Sequence, residues 1–203
     1  MIQYRKGSKD EIANIYLSFA DEFPINERKT MAELRTLMDN GAYHLIIAEE
    51  ALEDAFEETT QRIGFAFVYM PENANFVWLD YLVIEKNHQS KGYGSRFFNY
   101  LLQLTPYLKY MFMEVEIPNG LDINQIRRVQ YYERLGAVKY PLDYLLPIPE
   151  GSIPMSLYLS KLESAEPLQM SEVLEIIRHA HGYIHWEHSH LTQLFERISN
   201  SIQ

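Results

Sequence analysis

The sequence predicts an α+β fold in which helices flank a mixed, mostly antiparallel central sheet. Two observations predict it: three β-rich segments follow one another in the first half, and helices alternate with strands after residue 84. Neighbouring strands with short links pair antiparallel, whereas a strand–helix–strand crossover is parallel, so the two patterns together require a mixed sheet. With 203 residues, 47% of them hydrophobic, the chain is long and apolar enough for a substantial core.

A short strand and two amphipathic helices open the predicted fold. Residues 2–5 alternate as a strand does, and Ser8-x-x-Glu11 and Thr30-x-x-Glu33 are capping boxes that satisfy the free N–H groups at helix starts. The first helix carries apolar residues at i, i+3, i+4 and i+7 and ends before Pro24. Each helix therefore has one face for the core.

The segments that follow complete the sheet and its helical cover. Runs of β-branched and aromatic residues mark the strands, and apolar residues at helical spacing mark the helices. Strands are predicted at residues 43–48, 62–70, 75–84, 110–117, 137–140 and 155–159, and helices at 92–104 and 124–135.

Residues 161–203 are predicted to form a C-terminal helical extension to a domain of residues 1–160. We expect a helical hairpin whose second helix carries an apolar stripe. Because so short a segment has no core of its own, the stripe has to pack on the parent domain or on a second subunit. We expect the second arrangement, a homodimer through the C-terminal helices. The stripe consists of Leu191, Leu194, Phe195 and Ile198.

Composition narrows the range of functions. Asp plus Glu number 28 and Lys plus Arg 18, so the formal net charge of -10 disfavours nucleic acid and anionic membranes as partners and favours cationic substrates. The chain has no cysteine, which excludes disulfides, thiolate metal sites and a cysteine nucleophile. No apolar run approaches the ~20 residues of a membrane span, and the first residues lack the apolar core of a secretory signal, so we expect a cytoplasmic protein.

A glycine-bearing turn after the strand at residues 82–84 is the most informative motif. The turn leads directly into a helix, so its N–H groups and the positive helix end converge on one spot that favours an anion. Gly92 and Gly94 let a phosphate approach the backbone closely, and Lys91 adds positive charge. The third glycine of a dinucleotide fingerprint and the Gly-Lys-Ser/Thr end of a P-loop are both absent. A turn with a structural role only is the remaining alternative.

The segment Gln89-x-x-Gly92-x-Gly94 resembles the Q/R-x-x-G-x-G/A acyl-CoA loop of the GCN5-related N-acetyltransferase (GNAT) superfamily, and the order of elements over residues 2–159 is similar to that fold. The resemblance implies acetyl-CoA as cosubstrate. It also implies that the backbone of the preceding strand binds the pantetheine arm and that the loop amides bind the pyrophosphate. The implied contacts are Leu82, Val83, Ile84, Gln89, Ser90, Lys91, Gly92, Tyr93, Gly94 and Ser95.

Two further segments resemble catalytic motifs of the family. Residues 131–137, YYERLGA, are similar to its F-Y-E-K-L-G-F helix end, which implies that Tyr132 lies near the acyl sulfur and acts as general acid. Residues 113–116, MEVE, resemble the L-E-V-R strand of ribosomal-protein N-terminal acetyltransferases, which implies Glu114 as general base. Glu116 shares a strand face with Glu114, and paired carboxylates raise one pKa.

Alternatives remain for the base. Asp80 shares strand parity with Leu82 and Ile84, and it competes for the role through a water molecule. Glu114 and Glu116 are otherwise solubilising charges on an edge strand or ion-pair partners of Arg127 and Arg128.

The predicted function is N-acetyl transfer from acetyl-CoA to a primary amine of a small molecule or peptide, by direct attack in a ternary complex. The alternative is a non-catalytic acyl-CoA-binding regulatory module. Five histidines crowd residues 179–190, and His181 and His185 have the i, i+4 spacing of a zinc or nickel site. Scattered surface or interface histidines are the favoured interpretation, so no metal is expected.

Overall fold

A computed structural model describes residues 2–51 and 60–201. In these residues eight strands form one sheet with the order β1–β2–β3–β4–β5–β8–β6, and β7 also pairs with β8. The mixed, mostly antiparallel sheet with flanking helices is therefore confirmed. The elements are β1 (Ile2–Lys6), α1 (Ile12–Glu22), α2 (Met31–Asp39), β2 (Tyr43–Ala51), β3 (Thr60–Tyr69), β4 (Phe76–Ile84), α3 (Tyr93–Leu101), β5 (Tyr110–Glu116), α4 (Ile123–Arg134), β6 (Val138–Lys139), β7 (Tyr144–Ile148), β8 (Gly151–Lys161), α5 (Met170–Ile184) and α6 (Leu191–Asn200).

The chain divides into two compact units. Unit 1 comprises Met1–Ala74 with Leu79–Pro106, and unit 2 comprises Asn75–Trp78 with Tyr107–Gln203. Strand β4 gives its first residues to unit 2 and the rest to unit 1, and both C-terminal helices belong to unit 2. The predicted domain boundary at residue 160 remains a prediction.

Two helical segments of unit 1 begin at the capping boxes that the sequence predicts. The Thr30 hydroxyl accepts from the Glu33 N–H at 3.2 Å, and the Glu33 carboxylate accepts from the Thr30 N–H at 2.6 Å. Ser8 and Glu11 form the same box at a 3-10 turn that leads into α1. The apolar face of α1 is buried, and its Phe19 ring lies 4.7 Å from the Tyr81 ring of β4. Local capping and one apolar stripe therefore fix this part of the fold.

Unit 2 is organised around β8, which pairs antiparallel with β5, β6 and β7. The β7–β8 hairpin was not predicted, because the prolines of residues 141–149 suggest a break in secondary structure. Proline lacks an N–H, but an edge strand loses little from its absence. Among the strands of residues 2–51 and 60–201, β7 pairs only with β8, so Pro147 opposite Ser152 is tolerated.

Two of the four residues of the C-terminal apolar stripe are buried within their own chain, while Leu191 and Phe195 are only half-buried, so the expected homodimer remains a prediction. Leu194 is 3% exposed and Ile198 0% exposed. Helix α6 contacts β7 and α5, and the Arg178 guanidinium of α5 lies 4.8 Å from the centre of the Phe195 ring. The buried half of the stripe therefore needs no second subunit to cover it.

We predict that Ile198→Ala lowers the free energy of unfolding by about 2–5 kcal/mol, because it leaves a cavity at a fully buried site. Leu17→Ala is the matched control, since Leu17 is 81% exposed and its truncation opens no cavity. Urea unfolding of both variants measures the difference. Equal stabilities would show that α6 is not packed on unit 2.

Candidate active site

The glycine-bearing turn of unit 1 has the geometry of an anion site. Gly92 is the N-cap of α3 in the left-handed conformation, with φ 80°, and a Cβ placed there meets nothing within 4 Å. No side chain of the described residues caps the first turn of α3. The N–H groups at the start of α3 are therefore left without a capping side chain among the described residues, as at an anion-binding helix start.

The turn is held in place by side chains of unit 1. The Gln89 amide donates to the Ile84 carbonyl at 2.9 Å, which ties the turn to the end of β4. The Tyr93 hydroxyl donates to a Glu50 carboxylate oxygen at 2.6 Å. Ser90 has a positive φ of 62°, so two of the four residues from Gln89 to Gly92 are left-handed. Such a preformed curve of backbone presents N–H groups without a folding cost when a ligand binds.

The predicted base Glu114 lies on β5 in unit 2 and is hydrogen-bonded. The Tyr144 hydroxyl of β7 donates to Glu114 Oε1, and the same hydroxyl lies 2.6 Å from His181 Nε2 of α5. Three elements of unit 2 therefore converge on one carboxylate.

His181 is buried, with an exposure of 3%. Burial, with a smaller contribution from His188, lowers the pKa of His181 to about 3. The imidazole is therefore neutral at physiological pH.

Glu116 and Tyr132 lie near each other in unit 2. The Arg128 guanidinium forms an ion pair with Glu116, as one of the alternatives from the sequence predicted. The Glu116 charge is thus compensated by Arg128. Burial raises the pKa of Tyr132 to about 12, although Arg128 acts in the opposite direction. The hydroxyl therefore stays protonated through the neutral range.

Strand β5 is not at the edge of the sheet, so the hypothesis of solubilising edge charges is wrong. It has strand neighbours on both sides.

Asp80 is placed in a structural ion pair within unit 1. Lys29 Nζ lies 3.2 Å from Asp80 Oδ2, and the Tyr43 hydroxyl donates to the same oxygen. The Asp80 side chain is 3% exposed. Breaking this pair would leave an uncompensated buried charge. We therefore interpret the Asp80 carboxylate as a structural group of unit 1.

The histidine rings of residues 181–190 contact one another in series rather than surrounding a common point. Their ring centroids are 5.8 Å apart for His181 and His185, and 5.4 Å apart for His185 and His188. Among residues 2–51 and 60–201, no group of three or more His, Asp or Glu side chains is arranged to hold a metal ion.

A cleft of about 370 Å³ lies in unit 1 between the end of α1 and the end of β4. Three carboxylates line it, from Asp21, Glu22 and Glu85. Glu85 accepts from Arg62 at 2.9 Å and from Ser18 at 3.1 Å, so its position is fixed.

Tyr144 and His181 are the residues at this site that the sequence did not assign to it. Tyr144 carried no motif, and His181 was singled out only for its metal-ligand spacing. The one local signal is its position: His181 occupies a place in the apolar stripe of α5, between Ile177 and Ile184, where a hydrophobic residue is expected.

One protein family matches the chain. The sequence profile of the Acetyltransferase (GNAT) family matches residues 12–137, which is more than half of the chain. The matched range contains the turn, Glu114 and Tyr132 and ends before Tyr144 and His181. No curated protein matches the chain significantly.

Solved structures share the fold. A protein from Bacteroides thetaiotaomicron assigned to the GNAT family of acetyltransferases has a TM-score of 0.66 at 21% identity, with 89% of this chain and 96% of that chain covered. A Vibrio cholerae spermidine N-acetyltransferase in complex with CoA and spermine has a TM-score of 0.54 at 16% identity, covering 79% and 95%. The Escherichia coli ribosomal-protein-S18-alanine N-acetyltransferase has a TM-score of 0.53 at 14% identity, with 83% of this chain and 99% of that chain covered.

At these identities the structural likeness shows the fold, and the profile match shows the family. No helix in the described part of the chain is long and apolar enough to cross a membrane. The chain belongs to the GNAT family, the acyl-CoA-dependent N-acetyltransferases.

Proposed function

We propose that the protein transfers an acetyl group from acetyl-CoA to a primary amine by direct attack in a ternary complex. The observation that carries the proposal is the turn from Gln89 to Ser95, where a left-handed Gly92 opens an uncapped helix start. Lys91 and Arg96 are exposed on either side of this helix start, so basic charge adds to the dipole. These features fit the pyrophosphate of CoA, and the backbone of residues 82–84 is proposed to bind its pantetheine arm.

Glu114 and Tyr132 are proposed as the proton-transfer residues. Glu114 takes one proton from the acceptor ammonium, so that the amine lone pair attacks the thioester carbonyl. The carbon–sulfur bond then breaks, and the extra proton left on the nitrogen passes to the CoA sulfur, which departs as the thiol. A thiol has an ordinary pKa of about 8.5, well below that of Tyr132, which is raised to about 12. Because net transfer from tyrosine to thiolate is then uphill, Tyr132 assists the departing sulfur chiefly as a hydrogen-bond donor.

The acceptor is proposed to be a cationic amine. The formal charge of -10 favours the approach of cations. The named substrates of the structural neighbours supply the first two candidates, spermidine and a peptide with an N-terminal alanine.

An acceptor panel tests the proposed function. We expect acetyl-CoA with spermidine, the alanine peptide or an aminoglycoside to release free CoA thiol, and an acidic peptide to release none. Calorimetric CoA binding without thiol release from any acceptor would instead identify a non-catalytic acyl-CoA-binding module.

We predict that Gly94→Glu weakens CoA binding about tenfold or more, because it places a carboxylate where the pyrophosphate is proposed to lie. Gly182→Glu is the control, since it adds the same side chain at an exposed site with open space around its Cβ. Calorimetry on both variants gives the affinities. If folded Gly94→Glu protein binds CoA as tightly as the parent, the cofactor site lies elsewhere.

We predict that Tyr132→Phe lowers turnover at saturating substrates about 10- to 100-fold, which corresponds to the loss of one hydrogen bond to a charged group. Phenylalanine keeps the ring, so the packing around it is preserved. The neighbouring Tyr131→Phe variant controls for loss of a buried hydroxyl. Turnover within about twofold of the parent would remove Tyr132 from the chemistry.

A further inference from the structure

Helix α5 contributes one polar side chain to the interior of unit 2. Its other buried residues are Val173, Ile176, Ile177, Ala180 and Ile184, and His181 continues their stripe. The His181 ring lies 6.4 Å from the Trp78 ring and 5.5 Å from the Tyr144 ring, centroid to centroid. A polar group in such a place is costly unless it is hydrogen-bonded, and the Tyr144 hydroxyl supplies the bond at Nε2.

Glu114, Tyr144 and His181 form a hydrogen-bonded cluster. Its hydrogen bonds have one consistent direction when Glu114 is ionised. A carboxylate only accepts, so the single proton of the Tyr144 hydroxyl is donated to Glu114. The Tyr144 oxygen then accepts from His181, which requires the proton of the neutral imidazole to be on Nε2. His181 Nδ1 has no hydrogen-bond partner among the described residues, which agrees with an unprotonated nitrogen at that position.

We propose that His181 is a positioning residue that directs the Tyr144 hydroxyl onto Glu114, and that the C-terminal extension thereby completes the catalytic apparatus of its own chain. The inference rests on the proposed role of Glu114 as general base. In this arrangement Tyr144 keeps its proton, fixes the orientation of the Glu114 carboxylate and stabilises its charged form.

The low pKa of His181 supports this assignment. Burial lowers it to about 3, so a second proton on the imidazole is strongly disfavoured and His181 remains a fixed donor, not a proton acceptor. The groups that face the cluster are Trp78 from β4 and His185 and His188 after the end of α5, together with the Glu116–Arg128 ion pair on the same face of β5.

Full-length variants test the inference through the pH dependence of kcat/KM. His181→Leu and Tyr144→Phe remove the two donors in turn, and His181→Gln keeps an N–H donor on a side chain of similar reach. His179→Leu is the matched control on the same helix, because His179 is exposed. Losing a donor destabilises the charged carboxylate, so the pKa of the base rises and the acidic limb of the profile moves to higher pH.

We expect His181→Leu and Tyr144→Phe to move the acidic limb up by about one pH unit and to lower kcat at neutral pH about tenfold. His181→Gln is expected to recover at least part of both effects, and His179→Leu to match the parent. Thermal unfolding identifies any variant whose loss of activity is a loss of fold. A folded His181→Leu protein with the parent's profile overturns the inference.

Two measurements separate this inference from the proposed function. Nitrogen-15 NMR of the histidine rings reports the tautomer without any turnover, and an Nδ1–H tautomer for His181 overturns the inference by itself. Glu114→Gln tests the base: if this variant turns over like the parent, the proposed role of Glu114 fails, and the inference fails with it. If Glu114→Gln is inactive while His181→Leu is unaffected, only the inference fails.

Discussion

The register of β8 is the constraint on which unit 2 depends. Strand β8 pairs with β5 on one side and with β6 and β7 on the other, and this pairing places Glu114 opposite Leu157 and Tyr144 opposite Met155. Residues opposite each other in an antiparallel pair share a face, and so do residues two apart. Glu114 and Tyr144 therefore lie on the same face of the sheet, about 12 Å apart at the backbone, a gap that the two side chains bridge together. A shift of one residue would turn one of them to the opposite face.

Helix α5 covers this face of the sheet and also contributes His181 to it. An apolar stripe holds the helix in unit 2, and the same stripe places His181 against Tyr144. Because the histidine is buried, its charge state is fixed and its hydrogen bond is shielded from water, where it would be weaker. A change that loosens α5 therefore exposes both the core and the hydrogen bonds of Glu114.

The candidate sites of the two units are built from residues at different separations along the sequence. The anion site of unit 1 is made by consecutive residues: a strand ends, Gly92 takes a left-handed conformation, and α3 begins. The carboxylate site of unit 2 is assembled from β5, β7 and α5, and its two hydrogen bonds join residues 30 and 37 positions apart. The family match ends at residue 137, so Tyr144 and His181 lie outside the matched residues.

The sequence by itself determined what depends on neighbouring residues. Capping at Thr30 and Glu33, the apolar stripes of the helices and the turn at Gly92 follow from short-range patterns, and the structure agrees with each. Tertiary structure alone decided which partner each carboxylate has. Asp80 meets Lys29, Glu116 meets Arg128 and Glu114 meets Tyr144, because strand order and helix packing bring distant residues together. Tertiary structure also decided which surface covers α6, since the sequence shows that an apolar stripe has to be buried but not which surface buries it.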